Sequence, residues 1–205
     1  MKLGFFERHQ FVKDAISIAI FLLCVIIGTL FINTFVFRSF SVVGPSMEET
    51  LHTGDRLVVN RLPVTWSQLR NLTYLPERGQ IIVFKNPHYA VGVIGNGSEN
   101  DEFIVKRVIA FPGERVVLKD GSFTVYNKEH PDGFNPDDYN DGEPGSPTTG
   151  SIDQVVPTGE LFVSGDHREG PYSLDSRNGL GTIPLYGVIG PVILRLYPFD
   201  KIRTF

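Results

Sequence analysis

The chain has 205 residues, 41% hydrophobic and 20% charged, with a net charge of −4. These values exclude collagen, a coiled coil and wholesale disorder, and they argue against a nucleic-acid-binding domain, which carries a basic patch. The 21 glycines and 14 prolines predict many turns, and a lone cysteine excludes an internal disulfide or a Cys-based zinc site.

The first element is apolar. Ala15 to Phe37 is a run of 23 residues without a charge, and a helix of ~20 residues crosses a hydrocarbon core of ~30 Å. Cys24 lies inside it as an apolar filler. A cleaved secretory signal has a shorter apolar region, ~7–15 residues, and a small-x-small site after it. Here the run ends in Phe35-Val36-Phe37-Arg38, so an uncleaved anchor is expected over 14–37. Lys2, Arg8 and Lys13 precede it and only Arg38 follows closely. The positive-inside rule then places residues 1–13 in the cytoplasm and 38–205 outside, on a single-pass protein of the plasma or inner membrane.

Beyond Arg38 the pattern becomes short β-rich runs between Gly, Pro, Asn and Asp clusters. Strands are predicted at Ser39–Val43, Asp55–Asn60, Gln80–Phe84, Phe103–Phe111, Arg115–Lys119, Ser122–Tyr126, Leu161–Ser164 and Val188–Leu196. The fold class is therefore mainly β, an antiparallel barrel or sandwich behind one transmembrane helix. Thr65–Leu72 reads as a helical turn within a longer connection, Arg61–Gly79. An acidic, turn-rich stretch over 130–150 reads as a mobile surface loop.

Three local features carry chemistry. Gly44-Pro45-Ser46-Met47-Glu48-Glu49-Thr50-Leu51 follows the first strand; alone, its serine reads as a turn residue. Lys106 sits in Phe103–Phe111. Alternation puts it on a face with Ile104, Val108 and Ala110, and puts Arg107 on the other. A free lysine, with a pKa of ~10.4, is neutral in only about one molecule in 2,500 at pH 7. Burial lowers that pKa, and a neutral amine deprotonates a serine in Ser-Lys catalysis. The competing reading is an edge-strand lysine that snorkels to water. The third feature, Gly165–Arg177, concentrates serines, acids and arginines as a hydrogen-bonded network would.

Together these residues make the chain resemble the type I signal peptidases, membrane-anchored serine proteases that remove signal peptides from exported proteins. The similarity runs in order through the anchor, GPSMEETL (44–51), GDRLVVNR (54–61), KRVIAFPGE (106–114), GDHR…SLDSR (165–177) and Gly181-Thr182-Ile183-Pro184. The resemblance implies that Ser46 is the nucleophile, Lys106 its general base and Ser173 the hydroxyl that orients the lysine. It implies structural roles for Asp166, Asp175 and Arg177, with Arg107 pairing Asp166. Gly44 stands where some members have a serine that donates to the oxyanion, so the hole falls to the Ser46 N–H and another donor. His167 replaces a usual asparagine.

The implied reaction needs no metal or organic cofactor. Its partners are the signal peptides of preproteins, with small residues at the first and third positions before the cut, and the lipid bilayer. Nucleic acid is not a partner, and a monomer is expected. An extended substrate would pair with the strand edges at Phe40–Val43 and Glu102–Val105. Val42, Val105 and Met47 are expected to line its pockets. Trp66 and Tyr74 either dip into the membrane interface or pack on the barrel.

Other readings compete. A Ser-His-Asp hydrolase would draft His167 and Asp166, but Ser46 lacks the G-x-S-x-G elbow. A calcium loop at 137–142 lacks ligands at Tyr139 and Thr148. A tethered, non-catalytic binding domain explains the anchor and strands but not the lysine. A self-cleaving repressor also uses Ser and Lys, but it would be cytosolic, against the apolar run.

Overall fold

The computed structural model describes residues 10–89, 102–140 and 147–205. Lys2 and Arg8, on which the expected orientation partly rests, lie outside the described residues. Helix α1 spans Gln10–Phe31 and continues as a π-helical turn over Ile32–Val36. Its apolar side chains are bare around the whole circumference: Ile18, Phe21, Leu23 and Ile26 are all more than half exposed. A helix apolar on every side is stable inside a protein or in lipid, and none of the described residues covers this one. The candidate span runs Val12–Val36. Phe37, counted with the anchor above, is instead the first residue of β1.

The strands among the described residues are β1 (Phe37–Ser41), β2 (Arg56–Asn60), β3 (Ile81–Lys85), β4 (Phe103–Ala110), β5 (Arg115–Lys119), β6 (Ser122–Tyr126), β7 (Ile152–Val155), β8 (Glu160–Ser164), β9 (Ile183–Pro184), β10 (Val188–Tyr197) and β11 (Arg203–Thr204). All pair antiparallel. The larger sheet runs β1-β2-β10-β3-β4-β8-β9, with β11 beside β10, and a smaller one runs β6-β5-β7. The fold is mainly antiparallel β, as expected.

Strand β10 curls the larger sheet. Its first half, Val188–Pro191, pairs with β3, and its second half, Val192–Tyr197, with β2. The changeover falls between Pro191 and Val192, and just before it, at Gly190, a Cβ would collide with the Asn60 carbonyl oxygen. Glycine alone lets the two backbones approach so closely.

The core follows the pleat. On β3, Ile82 and Phe84 pack with Ile104, Val108, Leu161, Val163 and Ile183. Ile81 and Val83 face the other way and pack with Val42, Met47, Leu51, Leu57, Val59 and Val192. Both faces are buried, which is why Ile-Ile-Val-Phe is a continuous apolar run. A third cluster joins β4 and β8 to the small sheet through Ile109, Val116, Phe123 and Phe162.

Helix α2 occupies Leu62–Leu69, opening three residues before the predicted turn, with Pro63 in its first turn. Where it is described, the stretch 130–150 is tied to the domain at a few points. Pro136–Tyr139 forms a 3-10 turn. Asp137 pairs with the fully buried Arg168 at 2.8 Å, and Thr148 Oγ1 accepts from the same guanidinium. A buried cation requires such partners, so Asp137 turns inward while Asp132 and Asp138 stay exposed. Residues 141–146 lie outside the described residues.

Candidate active site

Strand β1 delivers Ser46 through the turn that follows it. Val42 N–H donates to the Asp55 carbonyl and Gly54 N–H to the Val42 carbonyl. Met47 and Leu51, both 0% exposed, nail the turn to the core, each burial contributing roughly 1.5–3 kcal/mol. Ser46, immediately before Met47, stays partly exposed. On its far side His167 N–H donates to the Ser46 carbonyl at 3.2 Å. The Ser46 N–H makes no hydrogen bond among the described residues, so it is free to bind a developing oxyanion.

Strand β4 delivers Lys106. Its amine lies 2.8 Å from Ser46 Oγ and 2.8 Å from the Val105 carbonyl oxygen. Lys106 is 3% exposed. Burial pushes its pKa down to about 8, against the opposing pull of Asp175 and then Asp166. The snorkelling alternative is therefore wrong, because the apolar walls of β4 hold the amine inside.

Arg107 points to the opposite face, as alternation predicts. Its guanidinium grips Asp166 through Nε at 2.8 Å and Nη2 at 2.6 Å, and donates to the Gly79 carbonyl. Thr50 Oγ1 donates to the same carboxylate at 2.6 Å. This triad ties the end of the Ser46 turn to β4 and to the loop after β8. Asp175 accepts from Gly165 N–H, Ser164 Oγ and the Arg177 guanidinium. Arg177 also donates to the Arg168 carbonyl.

Ser173 is 0% exposed and close to the site, but its hydroxyl has no hydrogen-bond partner among the described residues. The expected bond from Ser173 to Lys106 is thus not formed here; the amine bonds to Ser46 and Val105 instead. Met47, expected to line a pocket, is a core residue. The histidine alternative fails on geometry. His167 Nδ1 faces the Pro45 carbonyl, its ring stacks on Tyr172, and Asp166 is taken by Arg107. Asp137, first in the proposed calcium loop, is paired with Arg168.

Beside Ser46 lies a groove of about 250 Å³, lined by Phe40–Val43 on one side and Glu102–Lys106 on the other, with Leu57 and Val83 at its floor. Both walls are open strand edges. Among the described residues, β1 pairs only with β2, and β8 covers β4 only from Arg107 onward. Val42 and Val105 both line the groove.

Sequence reasoning missed Gly165. A Cβ there would collide with Ser173 Oγ and the Ser46 carbonyl oxygen. It also missed Thr50 and Arg168, although both stand inside the quoted motifs; no sequence signal separates a buried threonine or arginine from a solvated one.

The family described as signal peptidase, peptidase S26, matches residues 12–197. The chain is 33% identical over 182 residues to signal peptidase I of Bacillus licheniformis, covering 87% of this chain and 86% of the relative. It is 34% identical over 178 residues to signal peptidase I T of Bacillus subtilis strain 168, covering 85% and 81%. A crystal structure of a signal peptidase I from Enterococcus faecalis V583 aligns with a TM-score of 0.40 at 25% identity, over 57% of this chain and 96% of that one.

Proposed function

The chain belongs to the signal peptidase family, peptidase S26, and is a serine endopeptidase; from that premise we propose that it cleaves preproteins by a Ser46–Lys106 dyad. The observation that carries this reading is the 2.8 Å contact between Ser46 Oγ and the buried Lys106 amine.

At pH 7 an amine with a pKa of about 8 is neutral in roughly one molecule in ten. That amine takes the hydroxyl proton as Ser46 Oγ attacks the scissile carbonyl. The Ser46 N–H stabilises the oxyanion. The resulting ammonium protonates the leaving amine as the C–N bond breaks, leaving an ester on Ser46. Water, deprotonated by the same lysine, then hydrolyses the ester. Ser173, buried with an unspent hydroxyl, is the group available to orient the amine as the ammonium forms.

The substrate enters the groove extended and pairs with the two open edges, in β-strand addition. Alternate side chains then face Val42 and Val105, which leave room for small residues at the first and third positions before the cut. The anchor holds this site against the bilayer, with the N-terminus cytoplasmic and 38–205 outside. Ser46 follows Val36 by ten residues of chain, at most ~36 Å.

The test is intact-mass analysis of a precursor carrying Ala at both small-residue positions. It is incubated with detergent-solubilised wild type, Ser46→Ala and Lys106→Met. A single cut after the second Ala by wild type alone is expected. Cleavage surviving in Lys106→Met would remove lysine as the base.

A further inference from the structure

Helix α2 begins where the apolar span ends and is fastened to it. Arg61 N–H donates to the Val36 carbonyl at 2.8 Å, and Thr65 Oγ1 to the Phe35 carbonyl at 3.0 Å. One face of α2 packs down through Val64, 4% exposed. The other presents Leu62, Trp66 and Leu69 at helical spacing i, i+4, i+7. They are 47%, 58% and 74% exposed, so this apolar stripe has no partner among the described residues. It runs on into Phe35 and Phe37, themselves exposed at the base of the span. Tyr74 is different: it packs on the core, and its hydroxyl faces Gln80.

Cations surround the stripe. Arg38, Arg61 and Arg70 have no ion-pair partner among the described residues. Arg70 lies 4.5 Å over the Trp66 ring, and Arg38 lies over Phe103 and Phe40. Arg61 Nε is buried with no acceptor among the described residues. Burial and the nearby charge of Arg38 both push its pKa down. A buried guanidinium N–H with no acceptor among the described residues, and a second arginine near it that pairs with no carboxylate there, call for an anion.

We propose that α2 lies in the headgroup layer of the bilayer that α1 crosses, with Leu62, Trp66 and Leu69 in the acyl-chain boundary and Arg38 and Arg61 on the phosphate of an anionic lipid. Amphipathic helices bind interfaces in this way, with apolar area and basic charge both contributing. The occupant is the bilayer because the stripe is continuous with the span. A domain held by α1 and α2 together loses its freedom to rotate about a single tether, so the groove is presented to a substrate lying in the membrane. The proposal rests on α1 being a membrane anchor.

The full chain is reconstituted into vesicles of phosphatidylcholine, alone or with phosphatidylglycerol. Trp66 is the sole tryptophan and Cys24 the sole cysteine, so each reports one element. Trp66 fluorescence is expected to be quenched by lipids brominated near the headgroup and shielded from aqueous acrylamide, with more quenching when phosphatidylglycerol is present. Arg61→Gln, shown folded by circular dichroism, is expected to lose that increment, and Arg61→Lys to keep part of it. Leu62→Ser with Leu69→Ser is expected to lower quenching in both lipids. Fluorophore-labelled Cys24 quenched by deep bromines, with Trp66 still open to acrylamide, would overturn the docking and leave the anchor standing. Cys24 beyond reach of deep bromines would remove the anchor itself. Equal quenching in both lipids, unchanged by Arg61→Gln, would overturn the anionic-lipid site.

Discussion

Lys106 Nζ meets Ser46 Oγ at 2.8 Å across 60 positions of sequence. The contact has a pH dependence with a definite sign. The base is the neutral amine, and burial lowers its pKa to about 8. On a soluble peptide substrate, kcat/KM is expected to rise about tenfold per pH unit below pH 8 and to flatten above it. A profile that is flat from pH 6 to pH 9 would exclude Lys106 as the base.

The same shift costs stability. The folded pKa, about 8, lies below the 10.5 of an unperturbed lysine. Between those values the unfolded chain holds a proton that the folded chain has shed, so stability rises with pH across that window. Below pH 8 the folded chain carries a buried ammonium, at a cost of about 3 kcal/mol at 1.36 kcal/mol per unit. Lys106→Met is therefore expected to be more stable than wild type at pH 6.5, by up to that amount, and no more stable at pH 10.5. Denaturant titrations at the two pH values check this; a Met variant less stable at pH 6.5 would refute it.

The sequence made Lys106 and Arg107 legible because a strand has period two. Once Phe103–Ala110 is a strand, the two cations must diverge, and they do. Strands β5 and β6 were legible at their ends because turn residues bound them. Strand β7 was not, because Ile152–Val155 follows an acidic stretch and only its pairing with β5 gives it regular structure. The inward packing of Asp137 was hidden for a related reason. Only the tertiary fold brings it to Arg168, and without that partner the segment has the composition of a solvated loop. Met47 shows the converse: its place in a motif suggested substrate, while its side chain belongs to the core.

Gly165 is where the fold presses closest to the nucleophile. The collision of an added Cβ would be with the Ser46 carbonyl and with Ser173, a buried side chain with nowhere to retreat. Gly165→Ala is expected to push the Ser46 turn away from Lys106 and to lower kcat by about a hundredfold or more, as small displacements of reacting groups do. Activity within a few-fold of wild type would mean that the turn yields without moving the hydroxyl.

Val42 is 4% exposed and forms a wall of the groove at Ser46. Removing two methyl groups enlarges the space facing the substrate by little more than one side-chain step. Val42→Ala is expected to admit residues larger than Ala before the cut, a change in selectivity of roughly 10–200-fold for one methylene-sized difference. Cleavage of a precursor library measures it, and an unchanged preference would move the pocket elsewhere along the groove.

Two arginine–aspartate pairs separate structural from decorative charge. Arg107 and Asp166 are 7% and 0% exposed in their side chains, and Arg115 and Asp153 are 51% and 56% exposed. Removing Arg107 leaves a carboxylate in the interior with only Thr50 to solvate it. Arg107→Ala is therefore expected to lose about 3–5 kcal/mol of stability, and activity with it, because Thr50 and Asp166 tie the Ser46 turn to β4. Arg115→Ala breaks a bidentate pair of similar length, but water replaces the lost partner at once, so its unfolding midpoint is expected to stay close to that of wild type. Comparable losses in both variants would show that the Arg107 pair is no more buried in solution than the surface one, and that the turn carrying Ser46 is held by its apolar contacts alone.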